Sequence, residues 1–276
     1  MELAMIGDQI VPSEDAQISA HDRSIYFGDG VYEAVYVCNG RIFAMDRHMD
    51  RLRNSLQEMD MLQKVDLDLI RQRVDRAIAE AKFDNAFVYF QITRGQAPRQ
   101  HDYKDDWQPG FLLTLREKTA VTLSQATAIT HPDWRWRRCD IKSLCLLPNA
   151  LAAHAAAKAG AYEAILVEEN GLVTEGASNS ALIVSNGALQ TAPLTANVLP
   201  GITRAQLLEW APLVGLEVRE ESFTVAETMA AEELIISGTS GWLVAITHLD
   251  GRQIGDGKSG RYIKKLAGIL DDALQG

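Results

Sequence analysis

Three Asn-Gly dipeptides, at 39–40, 170–171 and 186–187, each stand between runs rich in β-branched and aromatic residues. Asparagine and glycine both tolerate positive φ, so the pair suits a type I′ turn and the flanking runs fold back as antiparallel hairpins. The first hairpin, "VYEAVYVCNGRIFAM", gives way to a different period. "DRHMDRLRNSLQEMDML" spaces Met49, Leu52, Leu56 and Met59 along one helical face, and "DLDLIRQRVDRAIAEAKF" does the same with Leu69, Val74 and Ile78. "FVYFQITRG" and "FLLTLRE" return to strand on either side of the polar loop "QAPRQHDYKDDWQPG". Hairpins mixed with amphipathic helices, and no repeat of solenoid length, define an α+β chain.

At 276 residues the chain is about twice the usual single-domain length, which predicts two domains. The boundary falls at "KTAVTLSQ", a stretch without strong pattern, giving a small N-terminal α/β domain over 1–117, a linker over 118–125 and a larger mixed domain over 126–276. In the second half "YEAILVEENGLVTEG" and "SALIVSNGALQTAP" read as hairpins, while "PNALAAHAAAKAGA", "ITRAQLLEWAPLVG" and "SGRYIKKLAGILDDAL" read as helices. A net charge of −10 argues against nucleic acid or an anionic membrane as a general partner. The three cysteines, Cys38, Cys139 and Cys145, lack metal-ligand spacing and suit a reducing cytoplasm. The acidic start "MELAMIGDQIVPSEDAQ" is unlike a signal peptide, and no run reaches the roughly 18 apolar residues of a membrane span, so a cytoplasmic location is expected.

"CDIKSLCLL" sets one lysine, Lys142, in a run that otherwise reads as a buried β-segment. An unpaired ammonium is costly to bury, so such a lysine is neutralised, paired or covalently used, or else sits at a strand end with its head in solvent. Further on, "VLPGITRAQLL" passes through Pro200-Gly201 into a helix whose first amides, at Ile202 and Thr203, form an anion site. "IISGTSGW" offers a second small-residue turn, Gly238 to Gly241, containing Thr239 and Ser240. Neither is a nucleotide-hydrolase phosphate loop or a GxGxxG dinucleotide fingerprint. Glu175, in "LVTEGASNSALIV", stands at a strand end among small residues. A lysine, a carboxylate and a phosphate cup are what pyridoxal 5′-phosphate requires: a covalent anchor, a partner for the ring nitrogen and a hold on the phosphate. His21, His48, His131, His154 and His248 match no ligand or triad spacing, and no metal site is expected.

"CDIKSLCLLPNALAAHAAAKAGAYEAILVEENGLVTEGASNSALIV", with "LPGITR" and "SGTSG", resembles the class IV aminotransferases, the fold type IV pyridoxal phosphate enzymes, over essentially the whole chain. "DRSIYFGDGVYEAVYV" and "YFQITRGQAPRQH" are most similar to the branch that acts on D-amino acids. The resemblance implies a homodimer whose protomers have a small N-terminal α/β domain and a larger C-terminal domain, with the cofactor between them. It implies Lys142 as the aldimine lysine and Glu175 as partner of the pyridine nitrogen. Arg51, otherwise half of a surface ion pair with Asp50 or Glu58, would join Ile202, Thr203 and Thr239 around the phosphate. Tyr32, Arg99 and His101 match the family's α-carboxylate trap, the last two delivered across the dimer interface, with Ser240 also on the substrate side. Trp242 adds bulk beside the expected side-chain pocket, which bears on tolerance of large substrates.

The activity implied is transamination between a D-amino acid such as D-alanine and a 2-oxo acid such as 2-oxoglutarate. An L-branched-chain aminotransferase, an (R)-amine transaminase and an aminodeoxychorismate lyase share the scaffold and remain alternatives. A non-catalytic binding protein of the same fold is disfavoured by the joint presence of Lys142, Glu175 and both phosphate turns.

Overall fold

A computed structural model describes residues 2–275. They form two compact units. The first runs through Ala120 and also takes in Ile141–Cys145; the second comprises Val121–Asp140 and the chain from Leu146 onward. Five residues placed by sequence in the larger domain thus cluster with the smaller one, among them Lys142.

In the first unit, strands β1 (Leu3–Ile6) and β2 (Gln9–Pro12) precede a short helix α1 (Arg23–Phe27), followed by β3 (Gly30–Cys38) and β4 (Arg41–Ile42). Helices α2 (Met45–Glu58) and α3 (Leu67–Ala81) lead to β5 (Ala86–Thr93) and β6 (Gly110–Glu117). The strands make one antiparallel sheet in the order β2-β1-β6-β5-β3-β4. Asn39 and Gly40, at φ 50° and 74°, form the tight turn the dipeptide predicts. Val31, Val35 and Val37 from one face of β3 meet Leu52 and Leu56 of α2, Val74 of α3 and Val88 and Leu113 of the neighbouring strands in one core. On α2 the buried face is the predicted one, but α3 buries Ile70, Val74 and Ala77 and leaves Leu69 exposed. Those three are spaced four and three residues apart, a tighter helical stripe than the one that includes Leu69.

The run 139–146 is not a strand. It is irregular, and Ser143 makes a single bridge to Val31. Tyr32 N–H donates to Lys142 O at 2.9 Å and Leu144 N–H to Gly30 O at 3.0 Å, so the segment lies along the half of the β3 edge that β4 does not cover. The next amide, Lys142 N–H, donates to the Ser55 hydroxyl of α2 at 3.1 Å, a side-chain contact where a ladder bond would continue a strand.

The second unit is built on a ten-stranded mixed sheet, in the order β12-β11-β10-β14-β15-β7-β8-β9-β13 with β16 beside β15. Its strands are β7 (Leu123–Pro132), β8 (Glu163–Val167), β9 (Leu172–Gly176), β10 (Ser180–Ser185), β11 (Ala188–Thr191), β12 (Glu217–Glu220), β13 (Phe223–Thr224), β14 (Glu233–Gly238), β15 (Trp242–Leu249) and β16 (Arg252–Gln253). Helices α4 (Leu147–Lys158), α5 (Ile202–Trp210), α6 (Val225–Ala230) and α7 (Arg261–Gln275) complete it. Asn186-Gly187 is a tight turn with both residues at positive φ, whereas Asn170-Gly171 ends a four-residue loop, Glu168 to Gly171, closed by Glu168 N–H to Leu172 O at 2.9 Å. Phe223, Ile165, Ile183 and Ile246 are among its fully buried side chains.

Gly30 is where β3 and the segment 141–145 meet. A Cβ there would lie 2.6 Å from Ile92 O, 2.8 Å from Leu144 Cδ1 and 3.0 Å from Thr93 Cα. Gly30→Ala is expected to lose about 1–3 kcal/mol by overpacking and to speed amide exchange at Lys142 and Leu144. Chemical denaturation and hydrogen exchange check both, and parental values for both would contradict this close packing.

Candidate active site

Inward and outward positions alternate along β3, and the inward row reads Val31, Glu33, Val35, Val37. A glutamate in that row places a carboxylate in an apolar layer. α2 supplies the countercharge: Arg51 Nε donates to Glu33 Oε1 at 2.7 Å and Nη2 to Oε2 at 2.8 Å, while His48 Nδ1 lies 2.7 Å from Oε2. Burial pushes the Glu33 carboxyl up, but Arg51 and His48 outweigh it and hold the group far below the usual carboxylate range. Burial lowers His48, against the opposing pull of Glu33. The surface pairing considered for Arg51 is replaced by this buried fork, and Asp50 pairs with Arg53 instead, at 2.9 Å. Neither Glu33 nor His48 was singled out from sequence, although a lone acid among alternating valines is a readable signal.

Tyr32 points to the opposite face of β3. Its ring lies 5.4 Å from that of Tyr89, and the Lys142 ammonium stands 4.2 Å from the Tyr32 centroid, within cation–π range. Lys142 is half-buried: its backbone is tied to Tyr32 and Ser55, and its amine faces an aromatic ring. Arg99 and His101 occupy another part of this unit, on the loop between β5 and β6, which is exposed over 98–106, where the Arg99 guanidinium carbon and the His101 ring lie 5.8 and 5.5 Å from the Phe27 ring.

In the second unit Glu175 is the last but one residue of β9, buried, and its Oε2 accepts from Arg135 Nη1 at 2.5 Å and from Leu199 N–H at 3.1 Å. Arg135 is held in turn by Asp133, with Nε and Nη2 at 2.9 and 2.8 Å, and by Asn197 O at 3.0 Å. Burial raises the Glu175 carboxyl above its ordinary value, with Arg135 pulling the other way. Arg135 and Asp133 were missed by sequence reading because an arginine in "DWRWRR" looks like surface.

Ile202 and Thr203 open α5, buried, behind Gly201, and among the described residues no side chain caps this end. A Cβ on Gly201 would come within 2.6 Å of Ser180 Oγ, and Ser180 is the register partner of Ser237, whose buried hydroxyl has no hydrogen-bond partner among the described residues. Gly238 follows, with room for no Cβ because Asn179 Oδ1 would be 2.2 Å away. Then come half-buried Thr239 and exposed Ser240. Uncapped helix amides, an orphaned hydroxyl and glycines that admit close approach form a donor set suited to a phosphate. Trp242 is fully buried with φ 53°, a left-handed backbone at the exit of the turn that few bulky residues adopt.

The lysine beside a tyrosine lies in the first unit, and the buried glutamate on a guanidinium and the open helix N-terminus lie in the second. The profile of the amino-transferase class IV family matches residues 30–249, and the chain belongs to that family of enzymes. It is 37% identical to a D-alanine aminotransferase of Listeria innocua, over 95% of this chain and 92% of that one. To a D-alanine aminotransferase of Staphylococcus epidermidis it is 35% identical, over 100% and 99% of the two chains. Its fold matches the T.th. branched-chain amino acid aminotransferase complexed with N-(5′-phosphopyridoxyl)-L-glutamate, with a TM-score of 0.88 and 22% identity over 99% and 94% of the chains. The fold is therefore fold type IV, as the sequence resemblance implied.

Breaking one partner of a buried ion pair costs about 3–5 kcal/mol, and Glu33→Gln is expected to fall in that range at pH 7. The folded Glu33 lies below its unfolded value of about 4.3, so its contribution is complete above that pH and fades as acid lowers the pH toward the folded value. The melting-temperature gap between parent and variant should be widest near neutrality and shrink below about pH 4. A gap independent of pH contradicts an ionised Glu33.

Proposed function

We propose that the protein moves an amino group between a D-amino acid, with D-alanine the leading donor, and a 2-oxo acid such as 2-oxoglutarate, using pyridoxal 5′-phosphate. The observation that carries this reading is the Arg99-x-His101 stretch on its exposed loop, in a chain one-third identical over nearly its full length to D-alanine aminotransferases. The pyridoxal 5′-phosphate ring supplies an electron sink for the electron pair of a broken Cα–H bond.

The roles are those the family resemblance implies, and each side chain's setting bears on them. Lys142 Nζ, partly shielded over the Tyr32 ring, is the attachment point and the group that carries the proton between the substrate Cα and the cofactor carbon. Glu175, held by Arg135 and Leu199 N–H, faces the ring nitrogen. The Ile202 and Thr203 amides, the Thr239 hydroxyl and the Arg51 guanidinium hold the phosphate. Tyr32, with Arg99 and His101 of the partner protomer in a homodimer, grips the substrate carboxylate, and Ser240 lies on the substrate side. A guanidinium and a carboxylate make a charge-assisted, often two-point contact, which fixes which side of the cofactor the carboxylate occupies and so which enantiomer reacts. The larger unit is read as the cofactor-binding domain and the other as the smaller domain, to which Lys142 belongs. Three free thiols, with Cys139 pushed by burial up to about 12 despite Arg135, suit the reducing cytoplasm.

Borohydride reduction followed by peptide mapping is expected to leave the cofactor on the peptide containing Lys142, and Lys142→Ala to lower activity about a hundred- to ten-thousand-fold. Arg99→Ala should weaken D-alanine and 2-oxoglutarate together, by about ten- to a hundred-fold in kcat/KM, with the cofactor absorbance unchanged. Label on another lysine, or full D-alanine activity in Arg99→Ala, contradicts these assignments.

A further inference from the structure

The stretch that carries Arg99 and His101 is exposed, and its backbone needs a hold from inside the unit. α1 provides one. Asp22 caps this short helix, accepting from Ser24 N–H at 2.9 Å and from Thr93 Oγ1 at 2.9 Å, while Arg23 N–H donates to Gly95 O at 2.9 Å. These contacts dock α1 where β5 runs into the loop and turn the Arg23 side chain inward, to 3% exposure. Its guanidinium then reaches three consecutive carbonyls: Nη1 donates to Gln100 O at 2.7 Å and to Asp102 O at 3.2 Å, and Nη2 to His101 O at 3.2 Å.

Arg23 is itself held on the inner side. Nε donates to Asp29 Oδ2 at 2.6 Å, and Arg94 Nε shares the same carboxylate at 3.0 Å from both oxygens. Two buried guanidiniums on one carboxylate leave a positive charge in excess, which backbone carbonyl dipoles offset: the three above for Arg23, and Met59 O at 2.8 Å for Arg94. The loop's carbonyls therefore satisfy a charge that one shared carboxylate leaves over, and straightening the loop would strand that charge in the interior. Phe27 is the common floor: the guanidinium carbons of Arg23 and Arg99 lie 4.7 and 5.8 Å from its centroid, on a ring His101 also approaches.

We propose that Arg23, backed by Asp29, is the positioning residue that sets the backbone of Gln100–Asp102 and thereby aims Arg99 and His101 at the substrate carboxylate. This rests on the reading that those two side chains grip that carboxylate. Lysine cannot replace Arg23, because a point charge beside Asp29 lacks the planar fork that spans several carbonyls. Since the grip serves substrate and transition state alike, its loss should appear in KM and leave kcat nearly intact.

The test uses the cofactor-loaded enzyme with Arg23→Ala, Arg23→Lys and Arg99→Ala, assayed with D-alanine and 2-oxoglutarate. Both Arg23 variants are expected to raise both KM values by about ten-fold or more, with kcat within about three-fold, and to exchange amides of residues 99–103 faster than the parent. A cavity of about 650 Å³ lined by Arg23, Gln100, Asp102 and Trp107 lies beside this guanidinium, so millimolar guanidinium should lower KM in Arg23→Ala. If Arg99→Ala raises KM while folded, cofactor-loaded Arg23→Lys keeps parental KM and exchange, the proposal is overturned and the carboxylate reading survives. If Arg99→Ala keeps parental KM, the reading itself falls, and the proposal with it. Should Arg23→Ala melt early or lose cofactor, Arg23→Lys alone decides by the same two readouts.

Discussion

A carboxylate in the core-facing row of β3 is the constraint on which the first unit turns. Glu33 is 0% exposed among valines, and an uncompensated charge there would cost several kcal/mol. α2 must therefore dock so that His48 and Arg51 reach it, which fixes the helix in rotation and height over the sheet. Ser55 lies one turn beyond Arg51 on the same face, and its hydroxyl receives the Lys142 amide. The ion pair thus sets the Arg51 guanidinium and, through Ser55, the backbone of the lysine. Tyr32, one residue before Glu33, is turned to the opposite face by the strand's period and meets the Lys142 amine there.

The same device recurs. Asp29 holds Arg23 and Arg94, and Arg135 links Asp133 to Glu175. Glu163, also buried, accepts from the amides of Ala164 and Ala177 at 2.9 and 3.0 Å and from Asn179 Nδ2 at 2.6 Å, which organises the turn that follows Glu175. In each case a buried acid fixes a segment carrying a proposed functional group. Pairing of this kind adds little net stability but tolerates few alternative arrangements. A hydrophobic core could hold these elements together, but an apolar contact does not select one rotation and one height as a two-point contact does.

Much of this was legible. Period-2 runs around Asn39-Gly40 and Asn186-Gly187 mark hairpins that the structure contains, and the stripe Met49, Leu52, Leu56 marks the face α2 buries. Local signals failed where distant partners decide the conformation. "CDIKSLCLL" has β-rich composition, yet it is pinned by Ser55, 87 residues earlier, and by a single bridge, so it stays irregular. α1 is five residues long and exists because Asp22 caps it and Arg23 finds partners 77 to 79 residues away. The residues themselves supplied Lys142 and Glu175, and the resemblance added Arg51 to the set. That reading did not supply the residues that hold them: His48, Arg135 and Asp29 look like ordinary surface charges until tertiary contacts bury them, and Glu33 shows only as a lone acid among alternating valines.

If this framework serves D-amino acids through the proposed carboxylate grip of Arg99 and His101, substrate chirality reads it out. The most direct measurement is the single-turnover rate at which cofactor absorbance is converted when the loaded protein meets separate D- and L-amino acid panels. Conversion is expected to be fastest with D-alanine or another small D-amino acid, with its L-enantiomer about ten- to a hundred-fold slower, the loss expected when a charge-assisted contact is unmade. Faster conversion of L-leucine or L-valine than of any D-amino acid would contradict it.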